Sequence, residues 1–193
     1  MQFDFCLVAS WPELSHRQLA AWATEFQNQG YDVAILSPVC SSELENSNIQ
    51  TFVLNEYGEN PANSLSMSTI EAKYGIPSLD HLTFTERLYF GLSRRDALSR
   101  GVRLATATGE VFSEHSFRYT LQVRGPEIHR LLAHYVTEHE GGTAIWAEFS
   151  PLDERFALST SLDGSWDDYS TIAYENIPKE DRVETRQHIE QFL

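Results

Sequence analysis

The sequence predicts a three-layer, Rossmann-like α/β domain on a mainly parallel sheet, because two strand–helix–strand units can be read from it directly. In one, residues 118–123 are rich in β-branched and aromatic side chains, as a strand is. Pro126 suits the first helical position, where its missing N–H would have no partner. Ile128, Leu131, Leu132, Tyr135 and Val136 then recur at helical spacing. Gly141 and Gly142 supply a left-handed stop, and residues 143–149 form the next strand. In the other unit, residues 3–9 are a near-continuous apolar run, typical of a strand covered on both faces. A helix with Leu19, Trp22, Ala23 and Phe26 on one side follows; Gly30 ends it, and residues 32–36 are again a strand. Crossovers of this kind almost always join parallel strands.

The remaining elements follow in order. Residues 49–54 read as a third strand and 55–64 as a polar loop. A helical insert covers about residues 65–115. It comprises a short helix over 67–74 stopped at Gly75, another over 85–92, and a longer one opened by Ser93 and Asp96. Leu98, Val102 and Ala105 mark the stripe that this last helix is expected to bury. Residues 155–160 are a short strand candidate, Asp163-Gly164 a turn, and 180–193 a weakly apolar helix. The expected organisation is one domain over 1–165, followed by a polar loop and terminal helix over 166–193.

Composition narrows the function. A hydrophobic content of 41% over 193 residues is enough for a self-supporting core. No apolar run approaches the roughly 18–20 residues of a membrane span, so no integral membrane segment is expected. The start of the chain lacks the basic region of a secretory leader, and Cys6 and Cys40 are too few for a disulfide scaffold. A reducing cytoplasm is the expected location, with peripheral membrane attachment left open. A net charge of −14 argues against a broad nucleic-acid footprint. Acid excess with only Lys73 and Lys179 as lysines looks halophilic, an ordinary acidic protein being the alternative. No complete phosphate-binding loop, H-E-x-x-H or C-x-x-C motif is present, so neither a metal nor a cofactor is expected.

In open parallel sheets, ligands bind in the crevice beyond the carboxyl ends of the strands. Ser10 follows the first strand, Arg124 and Gly125 a later one, and Glu148 and Ser150 the next. The N–H groups opening the helix at Pro126 favour an anion, and Arg124 would add charge-assisted hydrogen bonds. Glu127 and Arg130 lie in that helix's first turn and a half. Glu148 ends an apolar strand beside Trp146 and Phe149, where partial desolvation would raise its pKa toward a value useful for acid–base catalysis. Capping of backbone N–H groups is its structural alternative. Ser10 and Ser150 are hydrogen-bond donors to a ligand. His129, His134, Glu138 and His139 read as a solvated helix face rather than a metal site.

Gln122-Val-Arg-Gly-Pro-Glu-Ile-His-Arg-Leu-Leu-Ala133, Gly142-Thr-Ala-Ile-Trp-Ala-Glu-Phe-Ser-Pro151 and Ser161-Leu-Asp-Gly164 together resemble capsular polysaccharide biosynthesis proteins. These are glycosyltransferases related to the Kdo-adding enzymes of capsule assembly. Tyr74-Gly-Ile-Pro-Ser-Leu-Asp80 and the arginine-rich stretch after Arg87 look like the helical insert of archaeal members. Two departures stand out: Pro126 replaces a second glycine, and the family's carboxyl-terminal half, with its histidine-proline motif, is not among these residues.

The resemblance implies the amino-terminal, acceptor-side half of a two-Rossmann-domain (GT-B) glycosyltransferase needing no catalytic metal. Glu148 would serve as base or acceptor anchor. Ser10, Arg124, Gly125, Glu127, Arg130 and Ser150 would hold the sugar. The partners implied are a polysaccharide or glycolipid acceptor, and a nucleotide-sugar donor bound by the other half. A non-catalytic module on the same fold is the alternative. A small-molecule or nucleotide enzyme using the same crevice is a third possibility.

Overall fold

The computed structural model describes residues 1–10, 13–57, 66–125, 127–149, 156–160 and 162. Among them the expected α/β architecture is present. Strands β1 (Gln2–Val8), β2 (Val33–Ser37), β3 (Gln50–Val53), β4 (Ser116–Val123), β5 (Thr143–Phe149) and β6 (Phe156–Ser159) form one sheet in the order β3-β2-β1-β4-β5-β6. β1 pairs in parallel with both β2 and β4, and β2 with β3; β5 and β6 are antiparallel. The chain divides into two compact units, residues 1–145 and 146–193, with the division falling inside β5. The expected turn at Asp163, the loop after it and the terminal helix lie outside the described residues.

Helices cover both faces of the first unit's sheet. On one side are α1 (Glu13–Asn28) and α2 (Ser42–Glu45), whose Leu19, Ala23 and Leu44 pack on Leu7, Ala9, Val33 and Ile35. On the other side, Cys6, Val8, Ala34 and Leu36 meet side chains of α3 (Met67–Tyr74), α4 (Leu79–Leu82), α6 (Arg94–Glu114) and α7 (Ile128–His139). The helix α5 (Phe84–Phe90) joins α4 to α6. β1 is doubly covered because successive residues alternate between these two cores, so every position after Phe5 is apolar. Near its start, the N–H groups of Asp4 and Phe5 both reach Asp32 O, at 2.8 and 3.1 Å. This irregularity sends Phe3 and Phe5 to opposite cores, where they stack on Phe117 and Tyr119.

Local sequence sets the helix ends. Ser93 accepts the Asp96 N–H at 3.1 Å and opens α6, as the capping pattern requires. Gly75 closes α3 in the left-handed conformation, φ 67°, that its missing Cβ permits. Two expectations are corrected. α7 begins at Ile128 with Glu127 as its N-cap residue, whereas Pro126 lies outside the described residues. The stripe buried by α6 runs through Ala97, Gly101, Leu104, Ala105 and Thr108, leaving Leu98 and Val102 half-buried. Small residues win this face because neighbouring elements come close. A Cβ on Gly101 would stand 2.7 Å from Thr83, and one on Gly109 would overlap the Tyr74 ring.

That contact makes a testable exception to helix propensity. Propensity alone would have Gly109→Ala stabilise a helix by about 1 kcal/mol. Overpacking against Tyr74 should instead cost about 1–3 kcal/mol, read as a lower midpoint in thermal unfolding. An unchanged or higher midpoint would refute the close packing.

Candidate functional site

The strand order creates a crevice before any side chain is considered. From β1 the chain crosses over to β2 on one side, and from β4 it moves to β5 on the other. Strands β1 and β4 are adjacent, so their carboxyl ends flank a topological switch point, where the diverging connections leave a groove. Ser10 leaves β1 there, and Arg124 and Gly125 leave β4. The structure brings Ser10, Arg124, Gly125, Glu127 and Arg130 together around one cleft of about 460 Å³, with Thr85, Tyr89 and Phe90 of α5 as its further wall. That volume lies within the range of small-ligand pockets.

The cleft floor is a chain of polar contacts. Ser10 Oγ donates to Glu127 Oε1 at 3.0 Å, and Arg130 Nη1 lies 3.2 Å from Glu127 Oε2. The same Nη1 donates to Val123 O at 2.8 Å, tying the first turn of α7 to the end of β4. Arg130 is buried, and desolvation pulls its pKa down while the Glu127 carboxylate opposes this. Gly125 has a specific reason to lack a side chain: a Cβ there would overlap the Arg130 guanidinium and the Glu127 carboxylate. The turn is therefore shaped for an ion pair. Within this set Arg130 is mostly a strut, whereas Arg124 remains half-exposed at the cleft.

Two buried histidines hold the backbone where β1 ends. His129 Nε2 donates to Ala9 O at 2.6 Å, and His16 Nε2 donates to Ser10 O at 2.9 Å. His16 Nδ1 then accepts from Ser41 Oγ at 2.9 Å. One ring comes from α1 and the other from α7, so both helical layers clamp consecutive carbonyls where the strand leaves the sheet. Burial pushes the His129 pKa down to about 3, with a smaller contribution from Arg130 and other cations nearby. The expectation of a solvated face on α7 holds for Glu138 and His139, which are exposed, and is corrected for His129 and His134, which are buried.

The anion-binding reading of the α7 start is also corrected. Glu86 of α5 is fully buried, with its carboxylate facing the Ile128 N–H and Arg100 Nη1 3.2 Å from its Oε2. Neither oxygen gains a well-aligned hydrogen bond. Burial raises its pKa above the usual carboxylate range, against the opposing pull of Arg100. The positive end of the helix is therefore met by the protein's own carboxyl groups, Glu86 and Glu127.

Glu148 lies elsewhere in the division of the chain. It sits on β5 within the second unit, opposite Ala157 in the antiparallel pair with β6. Ser150 lies outside the described residues. Among the described residues no three His, Cys, Asp or Glu side chains converge to hold a metal ion. Sequence reasoning missed His16, His129, Glu86 and the α5 wall. Only the placement of Tyr89 and Phe90 beside an arginine-rich stretch carried any signal of them.

Comparison with known proteins returned no match: no family model, curated protein or solved structure is significantly similar to this chain.

The His129 clamp makes acid stability a test. Above about pH 6.5 the imidazole is neutral in both folded and unfolded chains and contributes no pH dependence. Below it the unfolded chain takes up a proton that the folded chain refuses, so stability falls from pH 6.5 down to about 3. Thermal unfolding from pH 7 to 4 should show a smaller loss in His129→Gln than in the wild type. Parallel losses in the two proteins would refute the buried neutral clamp.

Proposed function

We propose that this chain binds an acidic sugar in the cleft at the ends of β1 and β4, and that it acts as the acceptor-side part of a glycosyltransferase in surface-polysaccharide assembly. The observation that carries the ligand class is the lining. Half-exposed Arg124 stands beside the Ser10–Glu127 pair, and Tyr89 and Phe90 form the facing wall. A guanidinium suits a sugar carboxylate, a carboxylate and hydroxyl suit ring hydroxyls, and aromatic faces suit the apolar face of a pyranose. The assignment to sugar transfer rests on the sequence resemblance around residues 122–133 and 142–151.

The sequence resemblance, independently of the cleft's own lining, makes Glu148 the base or acceptor anchor and Ser150 a ligand hydrogen-bond donor. Donor binding belongs to a second domain, giving the GT-B arrangement. A binding module without catalysis would keep the cleft and dispense with Glu148.

Isothermal titration with a hexuronate oligosaccharide, against a neutral glucose oligosaccharide of equal length, tests the ligand class. The acidic sugar should bind more tightly, and Arg124→Ala or Tyr89→Ala should each weaken it about tenfold. Equal binding of both sugars, or unchanged affinity in both variants, would overturn the assignment. In an assay of sugar transfer, Glu148→Gln should lower turnover about 10²–10⁴-fold while leaving thermal stability nearly unchanged. A large drop in unfolding temperature would instead mark Glu148 as a structural anchor.

A further inference from the structure

We propose that α5 and the first turn of α6 form a docking surface for an anionic lipid bilayer. The first observation is a concentration of exposed apolar side chains. Phe84, Leu88, Tyr89 and Phe90 are 56%, 66%, 71% and 52% exposed, all within one seven-residue helix. The other large exposed apolar residues described, Met1, Tyr31, Met67 and Leu158, are far apart in sequence. A contiguous patch of this kind marks an interaction surface, whereas scattered single residues do not.

Charge identifies the occupant. Residues 84–103 contain five of the chain's 14 basic residues and only two acidic ones, in a protein of net charge −14. Of those two, Glu86 faces inward, fully buried. Asp96 accepts a hydrogen bond from Ser93 Oγ at 2.6 Å. The nearby Asp80 is engaged by Arg94 through two contacts of 2.9 Å. The outward charge beside the apolar side chains is therefore positive, with Arg87 on the helix and Arg95 just beyond it. A symmetric contact with a second copy would set the same arginines against each other, between two acidic bodies. An anionic bilayer accepts both features: Phe84 and Leu88 enter the boundary between headgroups and acyl chains, and arginines pair with lipid phosphates.

With seven residues, α5 is too short to cross a bilayer, so attachment through it is to the surface. Tyr89 and Phe90 also line the cleft, whose mouth would open onto the bilayer. The docking surface stands without the sugar assignment, since none of its observations uses a ligand.

Vesicle co-sedimentation of the full chain tests it, using phosphatidylglycerol mixed equally with phosphatidylcholine, and phosphatidylcholine alone. The wild type should bind the mixed vesicles and bind phosphatidylcholine several-fold more weakly. Phe84→Asp combined with Leu88→Asp, neither residue lining the cleft, should lower binding at least about tenfold. Arg87→Glu with Arg95→Glu should reduce binding of the mixed vesicles to the phosphatidylcholine level. Unchanged thermal unfolding of either double variant shows that the fold survives. Absence of wild-type binding to the mixed vesicles, or wild-type binding by both folded double variants, overturns the proposal. So does self-association in sedimentation velocity that the aspartate pair abolishes, because the patch would then be a contact between copies.

Discussion

The carbonyl groups of Ala9 and Ser10 are where the cleft is decided. A strand leaving a parallel sheet strips its last carbonyls of ladder partners, and a buried carbonyl without one is costly. His129 and His16 meet this need from opposite helical layers. Because these donors are rings anchored in packed helices, the carbonyls of Ala9 and Ser10 are held in place. Ser10 is then held within reach of Glu127, and Glu127 within reach of Arg130, which returns to the backbone at Val123. The ends of β1 and β4 are thus cross-linked by side chains as well as by the sheet.

This network has an electrostatic consequence for the cleft. Glu86 and Glu127 occupy the positive end of α7, and Arg130 is neutralised by Glu127. Arg124, half-exposed, adds a further guanidinium to the lining of the cleft. The apolar wall comes from α5, whose inward Glu86 is drawn to Arg100 while Phe90 lies under the same guanidinium, 5.6 Å from ring centre to cation. Glu86 thus takes the inward side of this short helix, and Tyr89 and Phe90 are exposed at the cleft.

Most elements were legible because their periodicity reports which faces are covered. The doubly buried run of β1, the left-handed glycines and the cap at Ser93 each state a local physical requirement that tertiary structure did not override. The positions of Ser10, Arg124 and Gly125 beyond strand ends were legible for the same reason. The burial of His129 was not. A polar residue on an amphipathic helix reads as solvated unless its acceptor is known, and Ala9 lies 120 residues away. Gly125 was read as part of a ligand turn, but its lack of a side chain answers the Glu127–Arg130 pair. The exposure of α5 was hidden because spacing shows that an apolar face exists, not whether anything in the chain covers it.

Backbone amide shifts during titration of the isotope-labelled chain with a hexuronate oligosaccharide would measure the cleft most directly. Shifts should concentrate at Ser10, Arg124, Gly125 and Glu127, which the ends of β1 and β4 bring together, and at Tyr89 of the α5 wall. Shifts confined to one of these two turns, or centred on the opposite end of the sheet, would contradict a single pre-organised crevice between β1 and β4.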